Sequence, residues 1–111
     1  MKIDFKELAL EQIVNFKGGE GRLDMRAYVD KDTRLMYCEL HPGASSGKHP
    51  HCGTFEAIYV LHGELTAYCD DIEERICEGE LHYCPEGHTH WYENKSDEKV
   101  AFFAIVPTLK K

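Results

Sequence analysis

Leu23, Met25, Ala27 and Val29 occupy every second position of the segment RLDMRAYVD, with polar or larger residues between them. Met36, Cys38 and Leu40 do the same in RLMYCEL, residues 34–40, against Tyr37 and Glu39. A repeat of two is the side-chain period of a half-buried β-strand. Two later runs differ. FEAIYVL (55–61) and VAFFAIV (100–106) are mostly apolar on both faces. A strand of that kind is covered on both sides. One side is then the interior of a small barrel, and the other predicts a partner surface, most simply a homodimer. The alternative is a two-layer sandwich that covers both faces within one chain. Turn-forming clusters punctuate the sequence at short intervals: His62-Gly63, Cys69-Asp70-Asp71, Glu78-Gly79, Pro85-Glu86-Gly87 and Asn94-Lys95-Ser96-Asp97. Many short strands with regular turns predict an all-β sandwich or barrel. Upstream, KELALEQIV (6–14) holds good helix formers and predicts a short N-terminal helix. GGEG at 18–21 reads as a turn, not a phosphate loop, because no Gly-Lys-Ser/Thr follows it. With no repeat or linker in view, one domain over 1–111 is expected.

Composition narrows the function classes. A chain of 111 residues is the size of one domain and buries about two-thirds of its unfolded surface without disulfide staples. The formal charge of −7 argues against nucleic acid and anionic membrane surfaces as partners, since both need a basic footprint. The longest apolar run, 100–106, is too short to span a bilayer. The start, MKIDFKELAL, lacks the apolar core of a signal peptide, so a cytoplasmic location is expected. The five cysteines, at 38, 52, 69, 77 and 84, are odd in number and form no Cys-x-x-Cys pair. They read as reduced thiols, most of them packing residues.

Candidate chemistry gathers in two segments. In HPHCGTFE, residues 49–56, His49 and His51 are two apart and point the same way on an extended chain. Glu56 shares a face with Ile58 and Val60. If both faces are inward, two imidazoles and a carboxylate converge. Pro50 lacks an N–H, which places this segment at a strand end or an edge. In PEGHTHWYEN, residues 85–94, His90, Tyr92 and Asn94 alternate on one face. An inward His90 completes three histidines and one carboxylate. That set suits one divalent transition metal per chain, whether manganese, iron, cobalt, nickel, copper or zinc. Four protein ligands leave an octahedral ion two positions for substrate, water or dioxygen. For any single histidine a surface or hydrogen-bonded core role is the better reading; four ligand-type residues at matched spacing reverse that judgement. His88 rivals His90, but spacing favours His90 and leaves His88 to a supporting or solvent-facing role, while His41, His62 and His82 read as surface or loop residues. Cys52, next to His51, points to the opposite face. Tyr92, Cys84 and Lys48 are the candidate substrate-binding residues: Tyr92 as a pocket wall, Cys84 as a pocket lining, Lys48 as a cation near the mouth. The ordinary readings, packing for Cys84 and a solvated loop for Lys48, stand beside these.

The two segments resemble the two sequence motifs of the cupin superfamily. The first reads Gly43-x₅-His49-x-His51-x₄-Glu56-x₆-Gly63, and the second Gly79-x₅-Pro85-x-Gly87-x₂-His90-x₃-Asn94. Fifteen residues, 64–78, separate them, as in small single-domain bacterial members of the type 2 conserved-barrel group. The resemblance implies an antiparallel jelly-roll β-barrel, RmlC-like, with a metal in its mouth, commonly a homodimer. It assigns the metal to His49, His51, Glu56 and His90. Gly43, Gly63, Gly79 and Gly87 match turn glycines, Pro85 the turn before the last histidine, and Asn94 a structural position. Cupins include dioxygenases, decarboxylases, isomerases, lyases and non-catalytic binders, so the fold alone does not choose among them. Three readings follow in order: a metal-dependent enzyme acting on a small oxygenated metabolite, a non-catalytic binder of metal or small ligand, and a dimer whose metal only braces the barrel.

Overall fold

In the computed structural model, which describes residues 1–109, ten strands follow one another with little helix. They are β1 (Glu11–Val14), β2 (Arg22–Val29), β3 (Thr33–Leu40), β4 (His49–Pro50), β5 (Glu56–His62), β6 (Leu65–Cys69), β7 (Ile72–Ile76), β8 (Leu81–Cys84), β9 (Thr89–Glu93) and β10 (Val100–Pro107). A six-stranded sheet runs β1-β2-β3-β10-β5-β8, and a four-stranded sheet runs β4-β9-β6-β7. The strand pairs are antiparallel. This is the all-β architecture that the alternation predicts and the antiparallel jelly roll that the resemblance implies. Among the described residues, no helix is long and apolar enough to cross a membrane.

The inward set of β3 follows the period-two reading, and β5 and β10, apolar on both faces, each turn one face inward. Met36, Cys38 and Leu40 of β3, Ile58 and Val60 of β5, and Val100, Phe102 and Ala104 of β10 are all buried. They pack with Leu23, Met25, Leu65, Ala67, Ile76 and Tyr92 into one core between the sheets. The outer faces of the doubly apolar strands have two fates. Phe103 of β10 lies under Phe5, ring centroids 5.1 Å apart and edge-on. Tyr59 and Leu61 of β5 and Leu81 and Tyr83 of β8 stay exposed. Register sets Tyr59 opposite Leu81 and Ala57 opposite Tyr83, so these side chains form one apolar patch at the sheet edge.

Two expectations are corrected here. Residues 6–14 are not a helix: a 3₁₀ turn covers Phe5–Glu7, and Glu11–Val14 form β1. Nine residues are too few for a helix that is stable on its own, and β1 gains a ladder with β2 (Glu11 opposite Met25, Val14 opposite Arg22) and places Ile13 against the core. In β2, Asp24 belongs to the polar half of the alternation yet is buried. Its Oδ1 accepts from Arg22 Nε at 2.7 Å, and its Oδ2 from Arg22 Nη2 at 3.1 Å and His41 Nε2 at 2.9 Å. The Arg22 hydrogen bond, opposed by burial and helped by His41, holds its carboxyl down at about 2.

Two glycines place the turns that shape the site. Gly63, at φ +86°, turns β5 into β6, and a Cβ there would press on Val100 Cγ2 at 3.2 Å. Gly47 is a close approach instead. A Cβ on it would fall 1.7 Å from the Lys17 carbonyl, and its N–H donates to Phe16 O at 2.9 Å. Only glycine lets the 3₁₀ turn Phe16–Gly18 lie against the segment that leads into His49.

Candidate metal centre

His49 sits on β4, an edge strand too short for more than two residues because Pro50 offers no donor. His51 follows at once, and Glu56 opens β5 in the other sheet. His90 lies on β9, directly opposite His49 in register. The segment 51–56 therefore crosses between sheets and carries ligand-type residues at both ends. His51, Glu56 and His90 are buried, and His49 is nearly so.

Their tips converge. His51 Nε2 lies 3.0 Å from Glu56 Oε1 and 3.0 Å from His90 Nε2. His90 Nε2 lies 2.9 Å from Glu56 Oε1 and 3.0 Å from His49 Nε2. His49 Nε2 and Glu56 Oε1 are 3.9 Å apart. With the imidazoles neutral, hydrogen bonds alone do not satisfy this group. His49 Nδ1 sits 2.8 Å from Gly47 O; a carbonyl only accepts, so Nδ1 carries the proton and Nε2 a lone pair. His82 Nδ1 donates to the Glu74 carboxylate at 2.7 Å, which leaves His82 Nε2 to accept from His90 Nδ1 at 3.1 Å. His90 Nε2 then also carries a lone pair. Two lone pairs face each other at 3.0 Å beside a carboxylate, which is the situation a cation relieves. The spacing agrees. Ligand atoms about 2.1 Å from one ion lie about 3.0 Å apart at right angles and about 3.4 Å apart at the tetrahedral angle.

Electrostatics point the same way. Burial alone would push the Glu56 carboxyl up, but the three imidazoles gathered around it, His49, His51 and His90, outweigh burial and hold it well below the usual carboxylate range. Burial lowers His90 despite the attraction of Glu56, favouring the neutral imidazole that coordinates. Burial raises the Tyr92 phenol well above its ordinary value and does the same to the Cys38 thiol, so both stay protonated.

A cavity of about 220 Å³ opens on the cluster, with His49, His51 and Glu56 in its lining. Met25, Met36, Phe102 and Ala104 make its walls apolar, Tyr92 and Cys38 complete them, and Phe16, Lys17 and Arg34 line it where it nears solvent. This volume holds a ligand of a few heavy atoms, not a drug-sized one.

The structure sorts the other candidates. Tyr92 lines the cavity; Cys84 and Lys48 are not among its lining residues. Cys84 is buried, with Sγ 3.7 Å from His88 O, and Lys48 Nζ pairs with Asp71 Oδ1 at 2.8 Å on the surface. Cys52 is exposed. His88 is exposed and bound to Asp70, so His90 is the histidine that enters the cluster. Asn94 is buried and ties the β9 end to Leu40 O and Glu98 O. The expectation that His82 is a surface residue is corrected: it is fully buried, stacked on His90 at 5.3 Å and 8°. The pattern LHYC carried the signal, since His82 shares its inward face with Cys84, two positions on. Lys17 and Arg34 carried none, because they reach the cavity from the first quarter of the chain and the start of β3.

The family model of the cupin domain matches residues 36–106. A curated relative from Thermotoga maritima, described as an oxalate-binding protein, is 30% identical over 112 residues, covering 96% of this chain and 93% of the relative. A crystal structure described as a predicted oxalate decarboxylase from Thermotoga maritima superposes with a TM-score of 0.91 at 29% identity, over 98% of this chain and 100% of that one. The Schizosaccharomyces pombe Cnp3 cupin domain shares the fold, with a TM-score of 0.79 at 15% identity over 96% of this chain and 73% of that one.

Proposed function

The chain belongs to the cupin-domain family, and on that premise we propose that it uses one divalent transition-metal ion, held by His49, His51, Glu56 and His90, to bind and transform a small oxygenated anion. The observation that carries this reading is the placing of that ligand set in the lining of a small cavity whose fixed positive charges are Lys17 and Arg34. A divalent ion there supplies Lewis acidity toward a carboxylate or enolate oxygen, or a redox centre if it is iron or manganese. The protein does the rest. Glu74 and His82 hold His90 in the tautomer that presents Nε2. Gly47 O does the same for His49. Met25, Met36 and Phe102 exclude water and strengthen the pull of Lys17 and Arg34 on an anion. Oxygenase, isomerase or lyase chemistry on such a molecule is the enzymatic form of the reading.

A second reading, a non-catalytic binder, is favoured by one observation. Apart from Lys17 and Arg34 at the mouth, the non-ligand side chains with exchangeable protons in the cavity lining, Tyr92 and Cys38, are held protonated by burial. The oxalate-binding description of the Thermotoga relative fits it too. One experiment addresses both. Metal-replete protein is expected to carry about one ion per chain by elemental analysis and to bind oxalate in calorimetry. The neutral isostere oxamide should bind at least about tenfold more weakly, and Arg34→Ala should erase most of that preference. Equal affinity for the two, or no metal uptake, would overturn the proposal. Loss of oxalate or a related small acid by nuclear magnetic resonance marks an enzyme; saturable binding without product marks a binder.

We further infer that two copies associate through the exposed patch of Tyr59, Leu61, Leu81 and Tyr83, which supports the expected homodimer. Sedimentation velocity should read twice the chain mass, and Leu81→Glu should return it to one. A wild-type protein sedimenting as a single chain at tens of micromolar would sink this inference.

A further inference from the structure

Among the described residues, one other group of ligand-type side chains converges outside the buried centre. β6 ends at Cys69, and the turn that follows holds Asp70 and Asp71 in left-handed conformations, at φ 51° and 65°. Pro85 to His88 make the neighbouring turn, between β8 and β9. Register sets Cys69 opposite His90, so the end of β6 lies beside the start of β9. Two backbone contacts lock the turns together: Asp70 N donates to Thr89 O at 2.9 Å, and Thr89 N donates to Asp70 Oδ1 at 3.3 Å. The outcome is that one ligand atom each from Cys69, Asp70 and His88 lies within 4.8 Å of the others. His88 Nδ1 is already bonded to Asp70 Oδ2. A second sulfur stands next to this group, since the Cys84 thiol interacts with that of Cys69 and contacts His88 O at 3.7 Å.

From this geometry we propose that Cys69, Asp70 and His88 form a second divalent-cation site, of the thiolate–imidazole–carboxylate class that takes zinc. The charge balances. On binding, the Cys69 thiol releases one proton to solvent, and one thiolate and one carboxylate neutralise the ion while His88 coordinates as neutral imidazole. The distances close. Ligand atoms around one tetrahedral zinc lie about 3.3–3.7 Å apart, and Asp70 and His88, with side chains 49% and 45% exposed, have the freedom to make up the difference. Sulfur also separates the two sites by preference. The buried centre offers nitrogen and oxygen; this one adds a soft donor that favours zinc or copper. The site explains what the residue excluded from the buried centre, His88, is doing at a shared turn. It does not depend on the function proposed above.

Cobalt(II) is the probe, because thiolate ligation gives an intense near-ultraviolet charge-transfer band that imidazole and carboxylate ligands do not. Wild type and His90→Ala, in which the buried centre is disabled, are both expected to develop the band on titration with cobalt. Cys69→Ser should abolish it, and His88→Ala should weaken the cobalt affinity of this site at least about tenfold. Cys52→Ser, beside the buried centre, should leave it unchanged. A band that survives Cys69→Ser, or that is lost in Cys52→Ser, overturns the proposal, as does the absence of any band in the folded wild type. The buried centre is read separately, as cobalt bound without the band, so failure of one site is not mistaken for failure of the other.

Discussion

Replacing His90 with alanine is expected to weaken divalent-metal binding by at least about a hundredfold. It removes the ligand whose Nε2 lies within 3.0 Å of each of the other three tips. The effect exceeds that of a supporting partner, whose loss typically costs about ten- to a hundredfold; His82→Ala, which frees the other ring nitrogen of His90, belongs in that lower range. Linkage supplies a second readout. Metal at about a thousand times its dissociation constant stabilises the fold by about 4 kcal/mol, and a hundredfold loss of affinity reduces this to about 1.4 kcal/mol. The metal-dependent rise in melting temperature should therefore shrink strongly in His90→Ala. The metal-free variant should melt close to metal-free wild type, because alanine also removes the facing lone pairs of His49 and His90. Calorimetric titration with manganese or nickel, with thermal melts with and without chelator, measures both effects. Wild-type affinity in both His49→Ala and His90→Ala would remove the assigned centre.

Phe102→Ala is expected to lower the unfolding free energy by about 3–5 kcal/mol, the range for deleting a large buried aromatic side chain. Phe102 heads the fully buried side chains by volume. It stands at the middle of β10 between β3 and β5 and meets Tyr92 edge-on, ring centroids 5.5 Å apart. It also forms part of the cavity wall, so its loss merges a new void with the existing one, and the neighbours have little means of closing it. For a domain of this size, 3 kcal/mol corresponds to a fall of at least about 12 °C in melting temperature. Leu61→Ala on the outer face of β5, 46% exposed, is the control, expected to cost less than about 1 kcal/mol in the isolated chain. Urea unfolding of the metal-free proteins compares them. A loss below about 1 kcal/mol in Phe102→Ala would mean that this core is not where the stability resides.

The same residues show how much was legible beforehand. Alternation identified the inward face of β3 residue by residue, because in a strand the direction of a side chain is set by counting; for β5 and β10, apolar on both faces, it left the choice of face open. Spacing identified His49, His51, Glu56 and His90 for the same reason. Where counting was not enough, the reading failed. KELALEQIV has helical propensity, but β1 had a partner strand and a core to cover with Ile13, and tertiary contacts outweigh a weak local preference. Asp24, on the polar face of β2, and His82, on the inward face of β8, are both buried, which is tolerable only because Arg22 and His41 satisfy the one and Glu74 and His90 the other.

By itself, then, the sequence determined the strand class, the inward residues of β3 and the four ligand-type residues that converge, all of which depend on local periodicity and type. Tertiary structure alone decided what those faces meet. It set His90 opposite His49, brought Glu74 through His82 to fix a tautomer, and carried Lys17 and Arg34 to the cavity. It also brought His88 together with Cys69 and Asp70. These are pairings between distant segments, governed by register and sheet closure, and no count along the chain contains them.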